Sequence, residues 1–332
     1  MSISNDSYAM LLLCSDLAIK ALENGVRPYT ITQWSKLAEK LSANSLTPSA
    51  LFDVNSDSVN KSLYLTDDEI ARIDKLLSRS GQLSVELTAL NDKGIQVLTR
   101  ADDNYPDSLK KKLKKLAPPV LYYAGNLSLL KNSGVSIVGS RNIDEAALRF
   151  TERLSKRCTD DGMNIVSGGA RGVDSIAESV ANRSDGTTII VVADSMEKKI
   201  RNKETREAIM RKQSLILSAF RPDMRFQAYA AMERNKYVYA LADFVVVVSS
   251  DYNRGGTWAG ATENLRNNWV PMFVRKADDV PEGNIHLLKN DKVHALPEQV
   301  FSETTNMFDW FRSCSMYSSE EPEPVRQLSF FD

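Results

Sequence analysis

The apolar positions of this chain fall into three regimes. Up to about residue 90 they recur at spacings of three and four, as in "YAMLLLCSDLAIKALENG", "ITQWSKLAEKL" and "LTDDEIARIDKLLSRS". That period belongs to amphipathic helices. The last of the three opens on Thr66 and Asp67 with acidic residues in its first turn, a helix-start signal. "DVNSDSVNKS" reads as a polar linker, and nothing before residue 90 alternates as a strand does. Residues 1–90 are therefore expected to form a small helical domain.

From residue 91 the texture changes. "GIQVLTRADDNYPDSLKKKLKKLAPPVLYYAGN" reads as a short apolar strand, a proline-bounded turn and a basic helix. Its five lysines between Lys110 and Lys115 read as a solvated helix face rather than a binding patch. From 134 to 275, apolar runs at 135–138, 164–166, 187–192, 214–218, 243–248 and 271–274 alternate with helical patterns near 143–161, 173–182, 203–212, 226–241 and 258–268. Such alternation predicts an α/β fold, a doubly wound and mostly parallel sheet with helices on both faces. "DFVVVVSS", nearly all β-branched, has the composition of a central strand. Residues 298–332 are expected to be a flexible tail, because "SMYSSEEPEPVRQ" is polar, acidic and proline-bearing. The core would then span 91–297.

Composition narrows the chemistry. With 332 residues and a formal net charge of −1, the chain can hold two or three domains but has no wholesale attraction to nucleic acid or anionic membrane. Anion binding must come from a local patch. Cys14, Cys158 and Cys314 lie far apart and form no CxxC pair, and His286 and His294 read as surface residues. Neither a disulfide framework nor a metal site is expected. "MLLLC" at 10–14 has no basic leader and meets Asp16 at once, and no apolar run approaches the ~20 residues of a membrane span. A cytoplasmic protein without a cofactor or membrane partner is expected.

Two turns carry the chemical signal. "VSIVGSRN" places Gly139, Ser140 and Arg141 after one apolar strand; "NIVSGGARGVDSIAE" places Ser167, Gly168, Gly169 and Arg171 after another. Ligands of open parallel sheets bind outside the carboxyl ends of strands. Glycine lets a ligand approach the backbone, the following helix offers unpaired N–H groups, and arginine binds phosphate through a planar fork. One such arginine could simply cap its turn or pair with Asp174; two on one sheet point to an anion pocket with Arg141 and Arg171 facing phosphate. A third turn, "NRGGTWAGATEN", adds Gly255, Gly256 and Thr257, and "MERNKYV" adds Arg234 and Asn235. No GxGxxG opening a helix, GxxxxGK[ST] or GxSxG is present.

In this order the segments resemble the DNA-processing protein A (DprA, or Smf) family, over about 91–297. "IVSGGARGVDSIAE" is the most specific match, supported by "DNYPDSLKKKLKKLAPPVLYYAGN", "VSIVGSRN", "MERNKYVYALADFVVVV" and "GGTWAGATENL". The resemblance implies a Rossmann-like core that binds single-stranded DNA, forms a homodimer and hands DNA to a RecA-type recombinase without catalysis. It adds Lys198, Lys199, Arg201 and Asn202 as candidate DNA contacts. The chain departs from the family at Glu178, where histidine is usual, and at Glu233, where proline is usual. About 35 residues follow position 297, too few for the family's frequent winged-helix domain. Divergent members of this kind occur in phage-defence loci, sometimes beside a toxin. Two alternatives stand beside this reading. "RGGTWAGATE" partly matches the turn of enzymes that cleave nucleoside monophosphates at the glycosidic bond, with Glu263 as the acid–base group. An antitoxin-like regulator of a partner enzyme is the other. The terminal "QLSFFD", with Gln327, Leu328, Phe330 and Phe331, is expected either to fold back on the protein or its dimer partner, or to bind a sliding clamp, whose peptide ligands it resembles.

Overall fold

The computed structural model describes residues 3–19, 25–302 and 304–317. The chain opens with α1 (Asn5–Cys14), capped by Ser4, whose hydroxyl accepts the Ser7 N–H. Ala9 to Leu13 are all buried. A helix that is apolar all round must be covered on all sides. Leu11 and Leu12 accordingly pack toward the sheet, while Met10 and Leu13 pack against Trp34, Leu37, Leu63 and Ile73 of the neighbouring helices. Those helices are α2 (Ile31–Ala43), α3 (Asp57–Leu63), α4 (Asp67–Leu77) and α5 (Ser80–Asp92). Thr30 with Gln33, and Thr66 with Glu69, form capping boxes at α2 and α4, each satisfying two otherwise orphaned N–H groups. The stretch read as a polar linker is largely α3, which Ser56 caps and Leu63 anchors. It is too short to show a period.

The rest alternates: β1 (Gln96–Thr99), α6 (Asp107–Leu113), β2 (Val120–Gly125), β3 (Gly134–Gly139), α7 (Glu145–Asp160), β4 (Asn164–Ser167), α8 (Val173–Arg183) and β5 (Thr188–Val191). Then follow α9 (Met196–Arg201), α10 (Lys203–Met210), β6 (Ser214–Ser218), α11 (Ala228–Leu241), β7 (Phe244–Ser249), α12 (Gly255–Asn267), β8 (Met272–Lys276), α13 (Glu282–Leu287), β9 (Val293–Pro297) and α14 (Met307–Tyr317). One sheet runs β1-β2-β6-β5-β4-β3-β7-β8-β9. It is parallel from β6 through β9, and β2 pairs antiparallel with both β1 and β6. Successive strand residues face opposite layers. Val245 and Val247 join a cluster with Tyr237, Val238 and Ala261 of α11 and α12, whereas Phe244, Val246 and Val248 join Phe150, Leu154 and Ala177 of α7 and α8. The N-terminal helices cover the same sheet, with Leu11, Leu83 and Leu90 against Tyr122, Ile190 and Ile216. The boundary expected at residue 90 thus falls between elements that share one apolar cluster.

Other expectations are corrected. Residues 298–302 and 304–317, expected as part of the flexible tail, fold onto the sheet: Val300, Met307 and Phe311 are buried, and Phe311 lies 4.6 Å from Phe273 and 5.2 Å from Phe244 between ring centroids. Asp161 accepts the Met307 N–H at 2.8 Å, which fixes the start of α14. Gln327, Leu328, Phe330 and Phe331 lie outside the described residues. The histidines are not plain surface residues. His294, on β9, stacks on Phe273 at 4.9 Å and its burial lowers its pKa; His286 stacks on Tyr252 at 3.8 Å. In the lysine run, Lys112 donates to the Ala242 carbonyl at the end of α11, and Lys115 pairs with Glu39 of α2. Among the described residues no helix is long and apolar enough to cross a membrane, and no group of three or more His, Cys, Asp or Glu side chains is placed to hold a metal ion.

The strand order locates the candidate site. From β3 the chain winds outward through β4, β5 and β6, then returns to the other side of β3 with β7. The two directions part at the carboxyl ends of β3 and β7, where a doubly wound sheet leaves a crevice.

Candidate nucleic-acid interface

A cavity of about 540 Å³ occupies that crevice. Gly139, Ser140 and Arg141 form one wall, Arg234 and Asn235 of α11 the floor, and Arg254, Gly255, Gly256 and Thr257 the opposite wall. The turns are locked together. The Ser140 N–H donates to the Ser249 carbonyl at 2.9 Å. Gly172, at φ +81°, lies against the backbone of Ser140 and Arg141 so closely that a Cβ would overlap it, so only glycine fits. Helices α11 and α12 approach closely because Gly260 faces the Tyr239 ring, 2.9 Å from where a Cβ would stand, and Asn235 Nδ2 donates to the Gly256 carbonyl at 3.0 Å. No side chain caps the first turn of α12, so the positive end of its dipole is open to an anion.

The cavity combines cations with apolar surface. Arg141 and Arg254 are exposed. The Arg141 guanidinium lies 5.9 Å from the centroid of the Phe226 ring. Phe226 and Met232, which also line the cavity, are 55% exposed and Tyr229 beside them is 62% exposed. Large apolar groups left in water at the mouth of a basic cavity mark a binding surface.

The second glycine turn behaves differently from expectation. The Gly168 N–H donates to Asp174 Oδ2 at 3.0 Å, the Ala170 N–H to the same oxygen at 3.4 Å, and the Gly169 N–H to Ser167 Oγ at 3.2 Å. Ser167 is fully buried and its hydroxyl donates to Glu178. Asp174 of α8 and the Ser167 hydroxyl therefore hold the glycine N–H groups expected to frame a phosphate. Gly168 serves another purpose: a Cβ there would overlap the Arg234 guanidinium. Its lack of a side chain lets a buried arginine pass beneath the turn. Arg234 is 8% exposed and its Nε has no hydrogen-bond partner. Burial lowers its pKa, against the opposing pull of Asp174 and Glu178. Burial likewise pushes Asp174 up to about 6, with Arg234 opposing and Glu178 reinforcing the shift.

The remaining candidates are spread out. Gly169, Lys198, Lys199 and Asn202 line a second cavity of about 350 Å³, together with Glu178 and Asp194. Asn202 also caps α10 by accepting the Thr205 N–H at 3.2 Å. Arg171 is exposed on the turn and lines neither cavity. Arg201 points outward and pairs with Glu197 at 3.4 Å. The carboxylates that line the first cavity are Asp174 and Asp251, and Glu263 is not among its lining residues. Sequence reasoning missed Arg254, although it adjoins the glycines of the third turn, and it missed Phe226, Met232 and Tyr239. Of these only Arg254 carried a local signal, a cation next to a glycine pair at a helix start.

Comparison with known proteins gives the chain a family. Residues 96–304 match the family model for DNA recombination-mediator protein A. The chain belongs to this family. It is 27% identical over 241 residues to DNA processing protein DprA of Bacillus subtilis, covering 72% of this chain and 77% of that one. It is 30% identical over 206 residues to Protein Smf of Synechocystis, covering 60% of this chain and 51% of that protein. Among solved structures, DprA of Streptococcus pneumoniae superposes with a TM-score of 0.57 at 23% identity, over 81% of this chain and 95% of that one; this likeness concerns the fold. DNA processing protein A of Helicobacter pylori, whose structure addresses a single-stranded DNA binding mode, gives a TM-score of 0.51 at 25% identity, over 66% of this chain and 94% of that one.

Proposed function

We propose that this chain binds single-stranded DNA at the β3/β7 crevice and performs no chemistry on it. The observation that carries the reading is the pairing of Arg141 with the exposed Phe226 ring at the mouth of a cavity walled by Arg254 and the uncapped start of α12. Phosphates meet the arginines and the helix terminus; unpaired bases stack on Phe226 and Tyr229. Such stacking needs bases whose faces are free, so a duplex cannot use it, and it tolerates any sequence. The Helicobacter pylori relative supports the same ligand. Asp174 is already engaged by backbone N–H groups, which argues against a role as an acid–base group. Assembly as a homodimer that passes DNA to a recombinase, in recombination or in phage defence, belongs to this proposal and rests on family membership.

The test is a fluorescence-anisotropy titration of a labelled oligothymidine and a matching duplex from 50 to 300 mM salt. The chain should prefer the single strand. Arg141→Ala with Arg254→Ala should flatten the log–log salt dependence by about 1.4, at about 0.7 per lost phosphate contact. Arg201→Ala should change nothing. Equal affinity for both DNAs, or an unchanged slope in the double variant, would remove the reading.

A further inference from the structure

The second cavity contains a contact that opposes the proposed ligand. Lys199 on α9 reaches over the β4–α8 turn, where its Nζ stands 3.8 Å from the position a Cβ would take on Gly169. It donates to Glu178 Oε2 at 2.9 Å. The other Glu178 oxygen accepts the Ser167 hydroxyl, so the carboxylate is held at both ends. Its side chain is 9% exposed and that of Lys199 24%. A pair this shielded is screened by salt far less than a surface pair. Lys199 is thus neutralised from within, although it lines the second cavity. Lys198, one position earlier, is exposed and is in no ion pair within 4.0 Å among the described residues.

We propose that Glu178 is a built-in competitor for nucleic-acid phosphate: it withholds Lys199 from DNA and so limits the strand to the first cavity. The proposal rests on the single-stranded DNA reading. A phosphate entering the second cavity would have to take Lys199 from a carboxylate that is already placed, desolvated and hydrogen-bonded. Glu178→Gln breaks the competition with little change of shape. The amide oxygen still accepts from Ser167, while the amide carries no charge to hold the ammonium. Freed Lys199 then adds one phosphate contact.

The experiment compares the full chain with Glu178→Gln, Lys199→Met and the double variant, each first checked for an unchanged circular dichroism spectrum. Binding of an oligothymidine long enough to cross both cavities is titrated against salt. Glu178→Gln should steepen the log–log slope by about 0.7 and bind about fivefold more tightly at 0.1 M salt, the two figures being linked by counterion release. Lys199→Met alone should leave the slope unchanged, and the double variant should lose the gain. Amine-reactive labelling read by mass spectrometry gives an arm that needs no DNA: Lys199 should label faster in Glu178→Gln than in the parent. If Lys199→Met alone weakens binding and flattens the slope, the lysine already contacts DNA and the proposal is overturned. Parental affinity in Glu178→Gln also overturns it while leaving the single-stranded DNA reading intact. Absence of DNA binding in all four chains overturns both, and the labelling rates then report only whether the ion pair forms.

Discussion

Replacing Gly168 by alanine tests the centre of the site. The added methyl would overlap Nη1 of Arg234 and crowd its Cζ. Gly168 does not have a positive φ, so alanine suffers no backbone strain there and the whole effect comes from the clash. The guanidinium has to leave its slot. The nearly buried Asp174, 5% exposed, then loses the cation that lowers its pKa. Leaving a buried carboxylate without the nearby cation that offsets its burial costs about 3–5 kcal/mol. At roughly 2–4 °C per kcal/mol for a large domain, Tm should fall by on the order of 10 °C. Gly162→Ala is the control. Gly162 has φ +81° and no atom within 4 Å of an added Cβ, so it bears only left-handed strain of about 1–2 kcal/mol. Thermal and urea unfolding of both variants, with Arg234→Ala and the Gly168→Ala/Arg234→Ala pair to complete a cycle, measures the coupling. Once Arg234 is gone, the second alanine should add little. If Gly168→Ala is no more damaging than Gly162→Ala, Arg234 does not run beneath the turn.

Three further outcomes follow from the same packing. Phe226→Ala with Tyr229→Ala should weaken binding of single-stranded DNA by about 2–6 kcal/mol at about 1–3 kcal/mol per stacked base, with duplex binding and Tm unchanged; anisotropy and a thermal melt check both halves. Burial raises Asp174 from 3.8 to about 6, so the folded chain holds this proton more tightly than the unfolded one. The stability it lends is complete below pH 4 and is lost as the pH rises through 6, by about 3 kcal/mol in all; urea midpoints between pH 4 and 7.5 should fall less steeply in Asp174→Asn than in the parent. Phe311→Ala should cost about 3–5 kcal/mol, measured by urea unfolding, because the ring is fully buried against Phe244 and Phe273.

What could be read from the sequence follows from how each element is buried. Parallel strands covered on both faces become short, continuous β-branched runs, and Phe244–Ser249, buried at every position, is visible for that reason. Strand β9 escaped notice because its inward residues are few: Leu296 alone is fully buried and a proline ends it. Helix α14 is hidden in the sequence because the acidic, proline-bearing residues after it set the tone of the whole segment, although Met307 and Phe311 stand four apart, the spacing of an apolar face. Helix α11 shows the limit of periodic reasoning. It buries Arg234 and leaves Tyr229 and Met232 in water, the reverse of the ordinary rule. No pattern count detects such an inversion, because the period of a helix marks which face is apolar, not which face is covered.

The two glycine–arginine turns, alike in sequence, differ in how they are held. What decides each turn is the polar content of the helix that follows. Helix α7 begins with Asp144, which spends its carboxylate on its own Ala147 N–H at 2.7 Å, so the β3 turn remains open and Arg141 faces the cavity. Helix α8 instead carries Asp174 and Glu178 one turn apart, both buried. Asp174 takes up the Gly168 and Ala170 N–H groups, and Glu178 takes up Ser167 and Lys199. Two buried carboxylates so close together are tolerable only with cations at hand, and Arg234 and Lys199 approach from α11 and α9 on either side. The β4 turn has become a self-neutralised clasp that aligns α8, α9 and α11. The room for an external anion lies instead toward β3 and β7, where the strand order leaves the sheet open.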